Sequence, residues 1–294
     1  MELRQLEYFI AVCEELHFTR AAEKLGMTQP SLSQQIGLLE HEVGMKLFDR
    51  IGRKIAITES GTILLEHAYR VFHELSQAKE AIGELHGLER GSLKIGALLT
   101  VVNTLLPPTL IDFHQKYPNI ELSVSGMRTD DIKSAILHNA IDMGIAYLPL
   151  EHPDIETISL QKEDLVLVMS NHHPLAGESV IPLNFLKQTA SILLPETYYL
   201  RQYINRLCQQ EGFLPVPAME LTTLESILTM VKRGVGVTIL TKSYLDSLHQ
   251  PDLCIAKIDH PAIEMEIGIL YRKHKHLCSA SREFIRILKQ TKGN

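Results

Sequence analysis

Cysteine is scarce in this 294-residue chain. Cys13, Cys208, Cys254 and Cys278 lie far apart with no CxxC pair, which excludes a disulfide scaffold and a zinc ribbon. No apolar run reaches the roughly 18 residues that a bilayer span needs. Glu2, Glu7, Glu14 and Glu15 interrupt the first apolar stretch, so a signal peptide is not expected and the cytoplasm is the expected compartment. A basic excess is missing too. The net charge is −6, and acids slightly outnumber bases even in residues 1–58, so nucleic-acid binding cannot be argued from bulk charge. Enzyme motifs are absent as well: no GxGxxG follows a strand, and GxxxxGK[ST], GxSxG and HExxH do not occur. No catalytic residue, cofactor or metal is expected. His274, His276 and Cys278, interleaved with Lys273 and Lys275, read as an exposed loop rather than a ligand set.

A 45% hydrophobic content and this length predict two compact domains. Three short helical patterns open the chain. Leu3, Leu6, Phe9, Ile10 and Cys13 share one face of a helix over 3–16. Thr19 is the expected N-cap of a short helix that ends at Gly26. Thr28 caps a third, with Pro30 tolerated in its first turn and Leu32, Ile36, Leu39 and Val43 recurring at four, three and four. Two helices joined by a glycine turn and packed on a preceding helix make a helix-turn-helix. The third helix turns Gln29, Ser31, Ser33, Gln34 and Gln35 outward, where Glu–Lys pairs would be more usual. Amides and hydroxyls near a helix N-terminus suit base edges in the major groove. Two short strands around Gly52 would then carry Arg50, Arg53 and Lys54 to phosphates.

The run from Leu6 to Gly61 resembles the winged helix-turn-helix of the LysR-type transcriptional regulators. Phe9, Ala21, Ala22, Leu25, Gln29, Pro30, Ser31, Ser33, Ile36, Leu39, Glu40, Gly44, Leu47, Phe48, Arg50, Thr58 and Gly61 carry the likeness. One departure is Gln34, where many relatives have a basic residue. The resemblance implies double-stranded DNA with a two-fold operator as partner. It gives Gln29, Pro30, Ser31, Ser33, Gln34, Arg50, Arg53 and Lys54 as the DNA-binding set. Residues 1–58 would form that domain.

Residues 59–90 are expected to be a linker helix and hinge. Leu64, Ala68, Val71, Leu75, Ala78, Ile82 and Leu85 alternate by four and three, as a coiled-coil dimer seam does. LysR-type proteins similarly dimerise through such a helix, into homodimers or homotetramers.

From Ser92 strands alternate with helices. Segments 92–98, 120–126 and 142–148 read as strands of a parallel sheet, followed by 164–170, 191–195, 218–221, 235–240 and 265–273 and a last helix from Ser279. The expected class is therefore α+β and multidomain: a winged helix, a linker helix, and a two-lobed α/β domain over 91–294. The resemblance makes that domain similar to periplasmic solute-binding proteins. Lobe I would take about 91–163 plus 267–294, and lobe II about 164–266. Ligands bind at the carboxyl ends of such strands. Thr100 and Val101, Arg128 and Thr129, Tyr147, Tyr198 and Arg201, and Thr222 and Thr223 stand there and are the expected effector-binding set. Arg128 or Arg201 would bind a small anion or carboxylate. The main alternative is a redox-sensing regulator of the same family, although Cys208 and Cys254 read as core residues. The other is a solute-binding protein with an added helical domain.

Overall fold

The computed structural model describes residues 1–51, 54–84, 91–248, 250–260, 263–273 and 277–291. The chain divides into two compact units, Met1–Gly87 with His138–Ala140, and the rest. Among the described residues no helix is long and apolar enough to cross a membrane.

The N-terminal unit holds α1 (Leu3–Glu15), α2 (Phe18–Lys24), α3 (Gln29–Val43), the hairpin β1 (Phe48–Ile51) and β2 (Lys54–Ile57), and α4 (Glu59–Glu84). Its core gathers the apolar stripes of α1, α2 and α3: Phe9, Val12, Ala21, Ala22, Leu32, Ile36 and Leu39 are buried together with Leu47 and Phe48. Gly26 makes the α2–α3 turn at φ +66°, a left-handed conformation that costs glycine little. Thr28 caps α3, its side chain accepting from the Ser31 N–H. The expected cap of α2 is displaced: His17, not Thr19, caps it, with Nδ1 accepting from the Arg20 N–H at 3.5 Å. Val43 also departs from expectation and is exposed.

Glu40 joins α3 to the hairpin. Its carboxylate accepts from the backbone N–H groups of Leu47 (3.0 Å) and Phe48 (3.4 Å) and from Lys46 Nζ at 2.6 Å. Thr58 does the same on the other side, donating to the Lys46 carbonyl at 2.7 Å and accepting from Gly61 N–H at 3.0 Å. Gly61 lies so close that a Cβ there would sit 2.3 Å from the Leu47 carbonyl oxygen.

The C-terminal unit runs β3 (Gly91–Ala97), α5 (Leu99–Thr104), α6 (Leu106–Lys116), β4 (Ile120–Gly126), α7 (Thr129–Leu137), β5 (Met143–Leu148) and β6 (Ile155–Ser170). It continues through β7 (Val180–Pro182), β8 (Ile192–Leu193), α8 (Tyr199–Gln210), β9 (Met219–Glu220), α9 (Leu224–Lys232) and β10 (Thr238–Thr241). The last elements are α10 (Lys242–Asp246), β11 (Leu253–Asp259), β12 (Glu264–Arg272) and α11 (Ser279–Thr291). As expected, β3 pairs in parallel with β4 and with β5. The sheet is nevertheless mixed, because β12 joins β5, and β6 joins β12, in antiparallel register.

Strand β6 begins at Ile155, well before the expected 164. Its first half alternates exposed polar and buried residues, whereas Leu165–Ser170 are all buried; only the buried half reads as an apolar run. The two halves serve different sheets. Residues 155–164 pair with β12, and 165–170 pair with β10 and β11. The second lobe also contains β7, which the sequence did not suggest, paired in parallel with β11. At the crossing, the buried Glu163 carboxylate takes hydrogen bonds from Gln161 and Ser243.

Candidate functional sites: a helix face and an interlobe cleft

On α3, Pro30, Ser31 and Gln34 are exposed, and Gln29 and Ser33 half-buried. Gln29 Nε2 donates to Ser33 Oγ at 2.7 Å, one helical turn on. This bond holds the amide against the helix but leaves its oxygen and one N–H, and the serine proton, for a partner. Ser31 Oγ is 2.8 Å from Thr28 Oγ1. Arg50 and Lys54 occupy the paired strands of the hairpin, opposite Ile55 and Ile51; Arg53 lies outside the described residues.

The proposed seam on α4 splits in two. Ala68 is buried, and Leu64 is half-buried against the helical core of the same unit, so neither lies open for a partner in the single chain. Val71, Leu75 and Ile82 are 38%, 39% and 63% exposed, and Ala78 is exposed with them. Leu85 lies outside the described residues. An apolar stripe at four-three-four spacing is thus left uncovered in the single chain.

In the C-terminal unit a cleft of about 340 Å³ opens at the carboxyl ends of the strands. One lobe lines it with Leu98, Leu99 and Thr100 after β3, with Gly126, Met127, Arg128, Thr129 and Asp131 after β4, and with Tyr147 of β5. The other contributes Leu194, Tyr198, Tyr199, Leu200, Thr222 and Leu224. Tyr147 and Tyr199 stack across it, with ring centroids 5.6 Å apart. Burial pushes the Tyr147 phenol up, with the Thr100 hydroxyl pulling the other way, so it stays protonated. Tyr199 and Tyr203 of α8 also donate to the Leu148 and Glu264 carbonyls, at 3.3 and 2.7 Å.

Six of the nine expected effector residues therefore line one cavity: Thr100, Arg128, Thr129, Tyr147, Tyr198 and Thr222. Three do not. Val101 is buried in the core. Thr223 caps α9, accepting from the Ser226 N–H at 3.4 Å. Arg201 is 2% exposed and turns away from the cavity. Its guanidinium donates to Asn205 Oδ1 (2.8 Å), the Leu194 carbonyl (3.2 Å), Glu220 Oε1 (3.2 Å) and the Pro215 carbonyl (3.5 Å). Four of its five N–H groups are taken, and the Glu196 carboxylate stands 3.9 Å from Nη2. Arg128 is likewise engaged, since its guanidinium grips Asp131 in bidentate fashion at 2.8 and 3.1 Å. The apolar lining, from Leu98 to Leu224, was missed because those leucines read as ordinary core positions.

Thr129 stands out. It is 6% exposed, lines the cleft, and its Oγ1 has no hydrogen-bond partner; buried hydroxyls are normally satisfied. Among the described residues no group of three or more His, Cys, Asp and Glu is placed to hold a metal. Burial pushes the thiols of Cys208 and Cys13 up to about 11 and about 12.

Comparison with known proteins places this geometry. Residues 3–62 match a family model described as a bacterial regulatory helix-turn-helix protein, lysR family, and residues 86–293 match the LysR substrate binding domain. The chain is 33% identical over 278 residues to the transcriptional regulator AlsR of Bacillus subtilis, covering 94% of this chain and 92% of that one. A full-length OxyR variant of Pseudomonas aeruginosa superposes with a TM-score of 0.75 at 27% identity, over 99% of this chain and 94% of the other. The full-length structure of CbnR complexed with its target DNA gives 0.69 at 25% identity, over 99% and 100%.

Because Arg201 fastens α8 to the ends of β8 and β9, Arg201→Ala should lower the stability of the C-terminal unit by about 2–4 kcal/mol. Arg201→Lys should restore little of it, since an ammonium cannot fork to four acceptors. Thermal unfolding of the two variants checks this.

Proposed function

The chain belongs to the LysR family of bacterial transcriptional regulators, and from that premise we propose that it binds double-stranded DNA as a homodimer or homotetramer under the control of a small molecule held in the interlobe cleft. It works in the cytoplasm and is not itself an enzyme. Gln29, Pro30, Ser31, Ser33 and Gln34 read base edges, while Arg50, Arg53 and Lys54 contact the phosphates. The likeness to CbnR, whose structure was solved in complex with its target DNA, supports this role. The uncovered stripe Val71, Leu75, Ala78 and Ile82 supports self-association through α4, which pairs two reading heads on a two-fold operator.

The observation that carries the effector assignment is the unpartnered, buried hydroxyl of Thr129, a residue that lines a cavity shared by two lobes. A ligand oxygen there completes it and bridges the lobes. Ligand binding then favours the closed arrangement by its extra contacts. Thr100, Tyr147 and Thr222 supply further hydroxyls, while the Tyr198 hydroxyl donates to the Thr222 carbonyl at 3.3 Å. Arg128 acts in the cleft only by exchanging Asp131 for the ligand, and Arg201 acts by holding α8 in place. The redox reading has less support at Cys13 and Cys208, whose thiols are raised by burial and stay protonated at neutral pH, because the thiolate is the reactive form.

Two experiments test the assignment. Gln29→Ala should cost about 1–3 kcal/mol on the duplex that the wild-type chain selects from a randomised pool, and little on random DNA. Equal losses on both would remove its base-reading role. Leu75→Glu places like charges in an apolar seam and should dissociate the α4-mediated dimer; sedimentation at unchanged dimer mass would refute that interface.

A further inference from the structure

Resting on the reading of the cleft as the effector site, we infer that the effector is a monocarboxylate with a compact apolar body. Dicarboxylates and inorganic oxyanions are discriminated against. The charge inventory of the wall carries this. Among the described residues lining the cavity, Arg128 is the cation and Asp131 the anion, and they neutralise each other in a two-bonded pair at 2.8 and 3.1 Å. The buried guanidinium of Arg201 behind the wall donates to four acceptors of its own and is paired with the Glu220 and Glu196 carboxylates. No unengaged charge is left there to meet a dianion.

A single negative charge does have a seat. Helix α8, 12 residues long, begins at the cleft with no side-chain cap and no acid in its first turn. Its first N–H groups are therefore unfilled and at the positive end of the helix dipole. Helix α7 begins at the same cavity; Asp130 and Asp131 in its first turn already answer its dipole, and what it offers is the buried Thr129 hydroxyl, which has no hydrogen-bond partner. A carboxylate takes hydrogen bonds from both. A neutral amide of the same shape forgoes the interaction with the α8 dipole. The remainder of the ligand meets Leu99, Leu194, Leu200, Leu224 and the ring of Tyr199. A second carboxylate against that wall would be desolvated with nothing to pair it, whereas a ring or branched hydrocarbon gains by burial.

Calorimetry on the full chain with benzoate, cyclohexanecarboxylate, benzamide, phthalate, succinate and sulfate tests the inference. Benzoate or cyclohexanecarboxylate should bind with a micromolar to millimolar Kd, and benzamide, phthalate, succinate and sulfate at least about tenfold more weakly. Thr129→Val should weaken benzoate about fivefold or more with no fall in Tm, because the lost hydroxyl made no bond in the free protein. Leu99→Trp, which fills the mouth of the cavity, should abolish binding. Phthalate, succinate or sulfate binding as tightly as the monocarboxylates, benzamide matching benzoate, or no monocarboxylate binding at about 10 mM, would overturn the ligand class. Loss of that dianion or amide binding in Leu99→Trp would leave the cleft as the effector site. Benzoate binding untouched by both variants would overturn the cleft assignment and the inference with it.

Discussion

Strand β6 belongs to both lobes, and the C-terminal unit depends on that sharing. One continuous 16-residue strand pairs with β12 along its first half and with β10 and β11 along its second. The lobes are therefore joined through one continuous strand whose partners change near Glu163, and motion between them bends β6 there while each half keeps its own ladder. That carboxylate is buried but satisfied by Gln161 and Ser243, so the crossing is held by directional bonds rather than by apolar packing alone. From α8, Tyr199 and Tyr203 reach the Leu148 and Glu264 carbonyls, close to where β5 ends and β12 begins. The cavity is what remains between elements fixed in this way.

Within that frame polar groups divide into two kinds. Arg201, Thr223, Glu40 and Thr58 are engaged with the chain itself, and their work is structural. Thr129 is buried and its hydroxyl engaged with nothing. An unmade hydrogen bond of this kind costs on the order of 1–3 kcal/mol, a cost that the proposed ligand would remove. The same contrast separates Gln29 from its neighbours on α3: bonding to Ser33 reduces the rotamer freedom that the amide would otherwise lose on meeting a base.

Much of this was legible in the sequence for identifiable reasons. The N-terminal helices announce themselves through three- and four-residue spacing, a glycine in the turn and Thr28 as cap. His17 replaced Thr19 as the cap of α2 because an imidazole can accept from the backbone as a hydroxyl does, a choice that residue preference does not reveal. Ala68 fits a heptad as well as any seam residue, yet a small side chain is also what close packing against a domain core selects. Arg201 sits where a ligand-binding arginine belongs in the order of strands and helices. Only the surrounding acceptors, brought from positions 194, 205, 215 and 220 by the fold, decide where its guanidinium turns. The leading half of β6 escaped notice because pairing on a half-exposed face needs no apolar run.

Central to the proposed regulation is a ligand that would sit between the first turns of α7 and α8 and tighten the two lobes about the β6 crossing. Amide hydrogen exchange of the full chain, with and without saturating benzoate, measures this directly. Slowed exchange should concentrate at Leu99–Val101, at Thr129–Ile132, at Tyr199–Gln202 and across Lys162–Leu165. Protection confined to the surface hollow around Lys187 and Phe213, or to the N-terminal unit, would contradict it.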